Sequence, residues 1–382
     1  MASVIHSDKP HLWSRVIGQE RVKRMLLGAL ESGRLPHAYL FYGGEGVGKD
    51  AMALELARVI HCEKGGGEAC GVCASCVRMN SMQHPDVRLV VALPVGSGEQ
   101  SDDLPLAKLP EADVKAIQEQ FREKGRDPYY RISIPKAGII KINSIREVRR
   151  ESSVSTFDGR KRVFVISQAD AMSDTASNTL LKTLEEPSGD CMLILTTSNR
   201  DALLPTIVSR CQSVRFEPLT EEEIKTSLVE RTGAEAGHAT LLARLANGSY
   251  ANALELLNDD VLEQRNLVLS FVRNAVAGKV MALSDDIEKI VSLKERPLIA
   301  RFLVLVLMWF RDAMVLSHGG TIINVDQKEE LTSFVTRFPA AQLLTILADV
   351  EKAISLVERN VYHRLVLLQL SMQIKAHIRI AQ

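Results

Sequence analysis

Net charge is missing from this chain of 382 residues, whose 47 lysines and arginines balance 47 aspartates and glutamates. No whole-molecule field draws it to nucleic acid or a membrane surface, so any contact with DNA has to be local. Long apolar runs are missing too. The longest, Phe302 to Phe310, is too short to span a bilayer and reads as a buried helix. Met1 to Pro10 is polar and holds no apolar core, which excludes a secretory signal there and makes the cytoplasm the expected compartment. In that compartment six cysteines suit metal ligation or free thiols better than disulfides. Internal repeats are lacking. What is present is an ordinary globular composition, 46% hydrophobic and 25% charged, long enough for two or three domains.

The most informative segment is Gly43-Gly44-Glu45-Gly46-Val47-Gly48-Lys49-Asp50. It follows a strand-like apolar run, Ala38 to Tyr42, and opens a helix-like one, Ala51 to Ile60. That is the setting of a phosphate-binding loop. Gly43, Gly46 and Gly48 would let backbone N–H groups close around phosphates, and Lys49 would add a cation for the β- and γ-phosphates. The last residue departs from the pattern. A hydroxyl normally holds Mg²⁺ there, whereas Asp50 puts a carboxylate among phosphates and repels them. The partner strand, Arg162 to Ile166, should end in Asp-Glu but ends in Ser167-Gln168. Neither residue supplies the missing charge, and glutamine is a poor base. Asp170 lies beyond the strand tip, where it either substitutes for that carboxylate or caps the next helix. Hydrolysis at this site is not expected; ATP binding through Lys49 stays open.

Cys62, Cys70, Cys73 and Cys76 form C-x7-C-x2-C-x2-C, with Gly65-Gly66-Gly67 able to turn the chain back on itself. Four thiolates fill a tetrahedral zinc shell and leave no position for water, so the site reads as structural. A buried-thiol cluster or an iron–sulfur site are the other readings. Cys191 and Cys211 lie far away in sequence. Structural zinc contributes about 10–16 kcal/mol in small peptides, enough to hold a loop with little core of its own.

Strand and helix patterns alternate through the first half, which predicts an α/β domain with a mainly parallel sheet. His84 to Ala92 alternates as a strand, and Leu93 to Pro135 reads as a polar, partly disordered surface insertion. Ile139 to Arg150 is helical, as is Ser173 to Leu184, which stops at Glu185-Glu186-Pro187. Cys191 to Thr196 is a buried strand. After Pro218 strand signals vanish, and Thr220-Glu221-Glu222-Glu223 opens a run of helices with a cap and an acidic first turn. A seam falls near Asp259 to Glu263. Lys141, Arg146, Arg149, Arg150, Arg160, Lys161 and Arg162 form a basic stretch that faces either a phosphate backbone or solvent.

Leu180 to Pro187 (LLKTLEEP) and Ser209-Arg210-Cys211 resemble the bacterial clamp loaders of the AAA+ class. The four-cysteine knuckle, Ile17-Gly18-Gln19, Pro36 to Tyr39 and Asn360 with its helix resemble the same group. The resemblance implies an AAA+ domain over residues 1–218, with a zinc module at 62–76 and an insertion at 93–135. A helical lid at 219–260 and a helical collar for oligomerisation at 261–382 would follow. It further implies a working partnership with gamma/tau motor subunits, a delta subunit, a sliding clamp and primed DNA. Motor members carry a complete phosphate loop, an Asp-Glu strand end and a lid arginine. Here those positions are Asp50, Ser167-Gln168 and Ala251. Thr197 and Ser198 fall at the family's sensor position, while Arg210 matches the arginine projected into a neighbour's ATP site. The resemblance therefore implies a non-catalytic subunit of a polymerase holoenzyme. A working motor ATPase and a plain zinc-stabilised DNA-binding protein are the alternatives.

Overall fold

The described residues form five strands: β1 (Ala38–Tyr42), β2 (Val87–Val90), β3 (Arg162–Ile166), β4 (Cys191–Thr197) and β5 (Gln212–Arg215). The computed structural model describes residues 13–378 apart from 158, 188–189, 259–260, 294–295 and 340. The strands make one sheet of order β2-β3-β4-β1-β5, and every pairing is parallel. β3 and β4 are buried along their whole length, as expected for strands covered on both faces. Tyr42 pairs with Thr197 and Ile166 with Leu195, so β1, β3 and β4 end together at one edge. That carboxyl edge is where a doubly wound sheet places its site.

Among the described residues the sheet is accompanied by α1 (Glu20–Glu31), α2 (Lys49–His61), α3 (Ala74–Asn80), α4 (Glu111–Arg126), α5 (Ile142–Ser152), α6 (Asp174–Glu185), α7 (Pro205–Val208), α8 (Glu221–Thr232), α9 (Ala236–Leu245) and α10 (Tyr250–Asn258). Ala38, Leu40, Phe164, Leu193 and Leu195 from the strands pack with Ile145, Val148, Leu180 and Leu184 from α5 and α6 in one core. The local signals that start these helices are visible. Ser173 accepts from Ala176 N to cap α6, and Thr220 and Glu223 form a reciprocal capping box on α8.

The chain divides into two compact units, residues 1–254 and 255–382. The second is helical: α11 (Val261–Ala277), α12 (Val280–Val291), α13 (Arg296–Ser317), α14 (Lys328–Arg337), α15 (Leu343–Glu358) and α16 (His363–His377). The run from Phe302 to Phe310 lies within α13, and Phe302, Leu303, Val306 and Phe310 are fully buried. Among the described residues no helix is long and apolar enough to cross a membrane. Asn360 takes φ 62° at the turn between α15 and α16, a conformation asparagine tolerates. The seam expected at 259–263 begins on two residues outside the described set.

Segment 93–135 departs from expectation. It contains α4, sixteen residues long, with Ile117, Lys124 and Gly125 buried. Gly125 is needed there, because a β-carbon would collide with the Asn80 carbonyl at the end of α3. Glu99 anchors the other end, accepting from Lys141 Nζ at 2.6 Å, from Asn143 and from Gly96 N at 2.7 Å. Polar composition concealed an ordered segment held by buried polar contacts.

Candidate phosphate-loop site and cysteine knuckle

The loop from Gly43 to Gly48 leaves the tip of β1 and enters α2, as the motif requires. Its glycines are forced: Gly43, Gly46 and Gly48 have φ of 149°, 72° and 102°. Their surroundings are crowded as well. A β-carbon on Gly43 would strike the Phe216 carbonyl, and one on Gly46 would strike Ser249 Oγ. One on Gly48 would lie 2.7 Å from Tyr129 Oη. The first turn of α10 sits on the loop, with Tyr250 N donating to Gly46 O at 3.1 Å.

Lys49 is 8% exposed, and its ammonium points back into the loop. Nζ donates to Gly43 O (2.9 Å), Gly44 O (2.5 Å) and Ser198 Oγ (3.1 Å). Those three bonds use all its protons. Burial lowers its pKa, against Asp50, Glu45 and Asp170, which raise it.

Asp50, the residue that breaks the motif, is also fully engaged. Oδ1 accepts from Thr196 Oγ1 and Oδ2 from Ser167 Oγ, each at 2.7 Å. Lys124 Nζ, from α4, stands 3.4 Å from Oδ2. Burial disfavours the ionised form, but Lys124, the two hydroxyls and Lys49 outweigh it and hold the carboxyl below the usual range. Ser167 thus occupies the end of β3 as a partner of Asp50. Asp170 does not cap α6, the second of the two roles the sequence left open for it. It accepts from Thr197 Oγ1 at 2.6 Å, and the α6 cap is Ser173. Lys124 and Tyr129 are the site residues that sequence reasoning missed; no motif marks either.

Arg210 follows α7 and precedes β5. Its side chain is 36% exposed, pairs with Glu185 Oε1 at 2.8 Å and donates to Thr206 O at 3.1 Å. LLKTLEEP and Ser209-Arg210-Cys211, separate in sequence, are therefore neighbours in space.

The four cysteine Sγ atoms all lie within 4.8 Å of one another. Cys70 N donates to Cys62 Sγ, Cys73 N to Cys70 Sγ and Cys76 N to Cys73 Sγ, at 3.3, 3.4 and 3.5 Å. Backbone N–H groups of Val72 and Cys73 bring the Cys70 thiol down to about 6. The cluster can hold a metal ion, since tetrahedral Zn–S bonds of about 2.3 Å need sulfurs this close. Cys191 and Cys211 lie in the sheet core, where burial pushes Cys211 up to about 12.

Part of the basic stretch is spent internally. Lys141 is buried on Glu99, Arg162 on Asp86 at 2.9 Å, and Arg160 donates to Ile60 O and Cys62 O. Arg146 pairs with Asp102. Arg149 and Arg150 are exposed on α5. Lys141, Arg160 and Arg162 therefore serve as struts, while Arg146, Arg149 and Arg150 lie exposed.

A parallel sheet with a phosphate loop at its carboxyl edge, followed by helices, defines a P-loop α/β protein. Within that class, a family model described as DNA polymerase III, delta subunit matches residues 18–220, and the chain belongs to this family. The DNA polymerase III subunit delta' of Bacillus subtilis (strain 168) is 36% identical over 252 residues, covering 66% of this chain and 63% of that protein. Subunit tau of Escherichia coli (strain K12) is 28% identical over 284 residues, covering 73% and 37%. Subunit tau of Bacillus subtilis (strain 168) is 25% identical over 372 residues, covering 90% and 58%. The matches thus span less than two thirds of each relative. Among solved structures, a gamma subunit-related protein of Thermotoga maritima aligns over 94% of this chain at 15% identity with a TM-score of 0.42.

Proposed function

We propose that this chain works in the cytoplasm as a delta-prime-type clamp-loader subunit, a ring member that hydrolyses no ATP itself. It would act beside gamma/tau motor subunits and a delta subunit to load a sliding clamp on primed DNA. The observation that carries this reading is Asp50. At the position of the metal-binding hydroxyl stands a carboxylate already bonded to Ser167 and Thr196 and paired with Lys124. Ser167-Gln168 and Ala251 stand where a motor would have its catalytic carboxylate and lid arginine. Magnesium nucleotide fits poorly here, because both Asp50 oxygens are already engaged by two hydroxyls and an ammonium and no free hydroxyl stands at that position for the ion.

What this chain would contribute is Arg210. It is about a third exposed at the end of the α7 turn, held by a surface carboxylate and a carbonyl, and able to exchange those partners for a neighbour's γ-phosphate. An arginine supplied in trans is worth about 10³–10⁵ in rate. The 62–76 knuckle would hold one structural zinc on Cys62, Cys70, Cys73 and Cys76. The helices of residues 219–260 would serve as the lid and those of 261–382 as the collar.

The test is reconstitution. The purified chain should copurify with motor, delta and clamp subunits and hydrolyse ATP at background rate alone. Magnesium-dependent turnover by the isolated chain, abolished by Lys49→Ala, would overturn the reading in favour of a motor.

A further inference from the structure

Segment 93–135 has no counterpart in the chemistry proposed above, yet its last third closes over the phosphate loop. Lys124 is 5% exposed, faces Asp50 Oδ2 at 3.4 Å and donates to Tyr130 O at 2.9 Å. Tyr129 Oη accepts from Ile17 N at 2.9 Å and covers Gly48. Arg131 pairs with Glu45 of the loop at 2.9 Å and reaches Asn252 of α10 at 3.3 Å. Tyr129 also meets Tyr250 of α10 edge-on at 5.0 Å, so the segment touches loop and lid helix together. Arg15 fixes this end by donating to Gly125 O and Arg126 O at 2.6 and 2.7 Å.

In a working site of this type a magnesium ion supplies the positive charge next to the last loop residue, and the nucleotide bridges loop and lid. Here both tasks fall to the chain. The charge is an ammonium, the residue facing it is a carboxylate, and the bridge is Tyr129 with Arg131. We propose that segment 93–135 is a built-in replacement for magnesium nucleotide: Lys124, Tyr129 and Arg131 hold the phosphate loop and the start of α10 in one arrangement without any ligand. The exchange explains why Asp50 is present. A serine or threonine would leave Lys124 buried beside no counter-charge, whereas Asp50 supplies one from the loop position itself. Loss of a motif residue and gain of a cation are then one change, and the unit stays fixed while nucleotide comes and goes elsewhere.

The test uses the full chain alone, so it is independent of any role in a ring. Thermal unfolding is followed with ATP plus MgCl₂ and with ATP plus EDTA, alongside limited proteolysis within 93–135. Wild type should melt at the same temperature in both, and cleavage should be slow. Lys124→Met and Asp50→Asn should each speed cleavage within the segment by about tenfold, the effect of losing a partly buried ion pair on a local opening. The double variant should be cleaved no faster than either single one, because the pair is lost once. A magnesium-dependent rise in the wild-type melting temperature would overturn the proposal, as would multiplying, independent effects of the two substitutions. Should Lys124→Met not fold, Asp50→Asn decides: unchanged cleavage within 93–135 sinks the idea.

Discussion

Lys124 Nζ stands 3.4 Å from Asp50 Oδ2, a pairing between the end of α4 and the first turn of α2. It gives the first unit a defined response to acid. The Asp50 carboxyl lies below its usual range in the folded protein, so its contribution is complete above the unfolded value near pH 4 and is lost as pH falls through the folded one. In Lys124→Met, burial acts with less opposition and raises the Asp50 pKa. The stability deficit of that variant should therefore be fully present near pH 7 and shrink as pH falls below about 4, read by denaturant unfolding. A deficit that stays constant with pH would separate Lys124 from Asp50.

Gly46 has φ 72° and faces Ser249 Oγ and Ala251 Cβ at the start of α10. Gly46→Ala should cost about 1–3 kcal/mol, strain and collision together. Gly98 has φ 66° but open space around it, so Gly98→Ala should cost only the backbone part, about 1 kcal/mol. Equal losses in the two variants would mean that α10 does not press on the loop.

The knuckle should bind one zinc per chain. Cys73→Ser should lose the metal and lower the melting temperature, while Cys191→Ser should keep it, since Cys191 lies in the sheet core. Elemental analysis that found iron, or no metal, would contradict the assignment. Chelation should loosen residues 62–76 and leave the sheet intact, because β1, β3 and β4 have a core of their own.

The parts of this fold that announce themselves do so through apolar continuity. β1 was legible residue for residue because Ala38 to Tyr42 is an unbroken apolar run between polar neighbours. β5 was not, because Gln212–Arg215 buries only Val214 and its place is fixed by pairing with β1. Segment 93–135 looked unstructured for a related reason. α4 buries just Ile117 along with Lys124 and Gly125, and neither a lysine nor a glycine signals burial in a sequence. The motif gave the loop glycines, Lys49 and the misfit at Asp50. It could not give Lys124, whose partner lies far off in the chain and is chosen by tertiary packing alone. In the basic stretch the sequence could not mark Lys141 and Arg162 as buried, because their partners Glu99 and Asp86 lie far off in the chain.

Arg210 and Glu185 form a partly exposed pair at 2.8 Å. Such pairs contribute about 0–1 kcal/mol. Arg210→Ala and Glu185→Ala should each leave the chain folded, with a melting temperature close to wild type. A large loss of stability would make the arginine structural.

The most direct measurement is clamp loading by a complex reconstituted with Arg210→Ala. Total ATPase should fall in part, because other motor sites keep their own arginine donors, and loading on primed DNA should fall further because it needs the sites together. Arg210→Lys should rescue poorly, since an ammonium lacks the planar fork that grips phosphate oxygens. Loading at the wild-type rate by the Arg210→Ala complex would contradict the account.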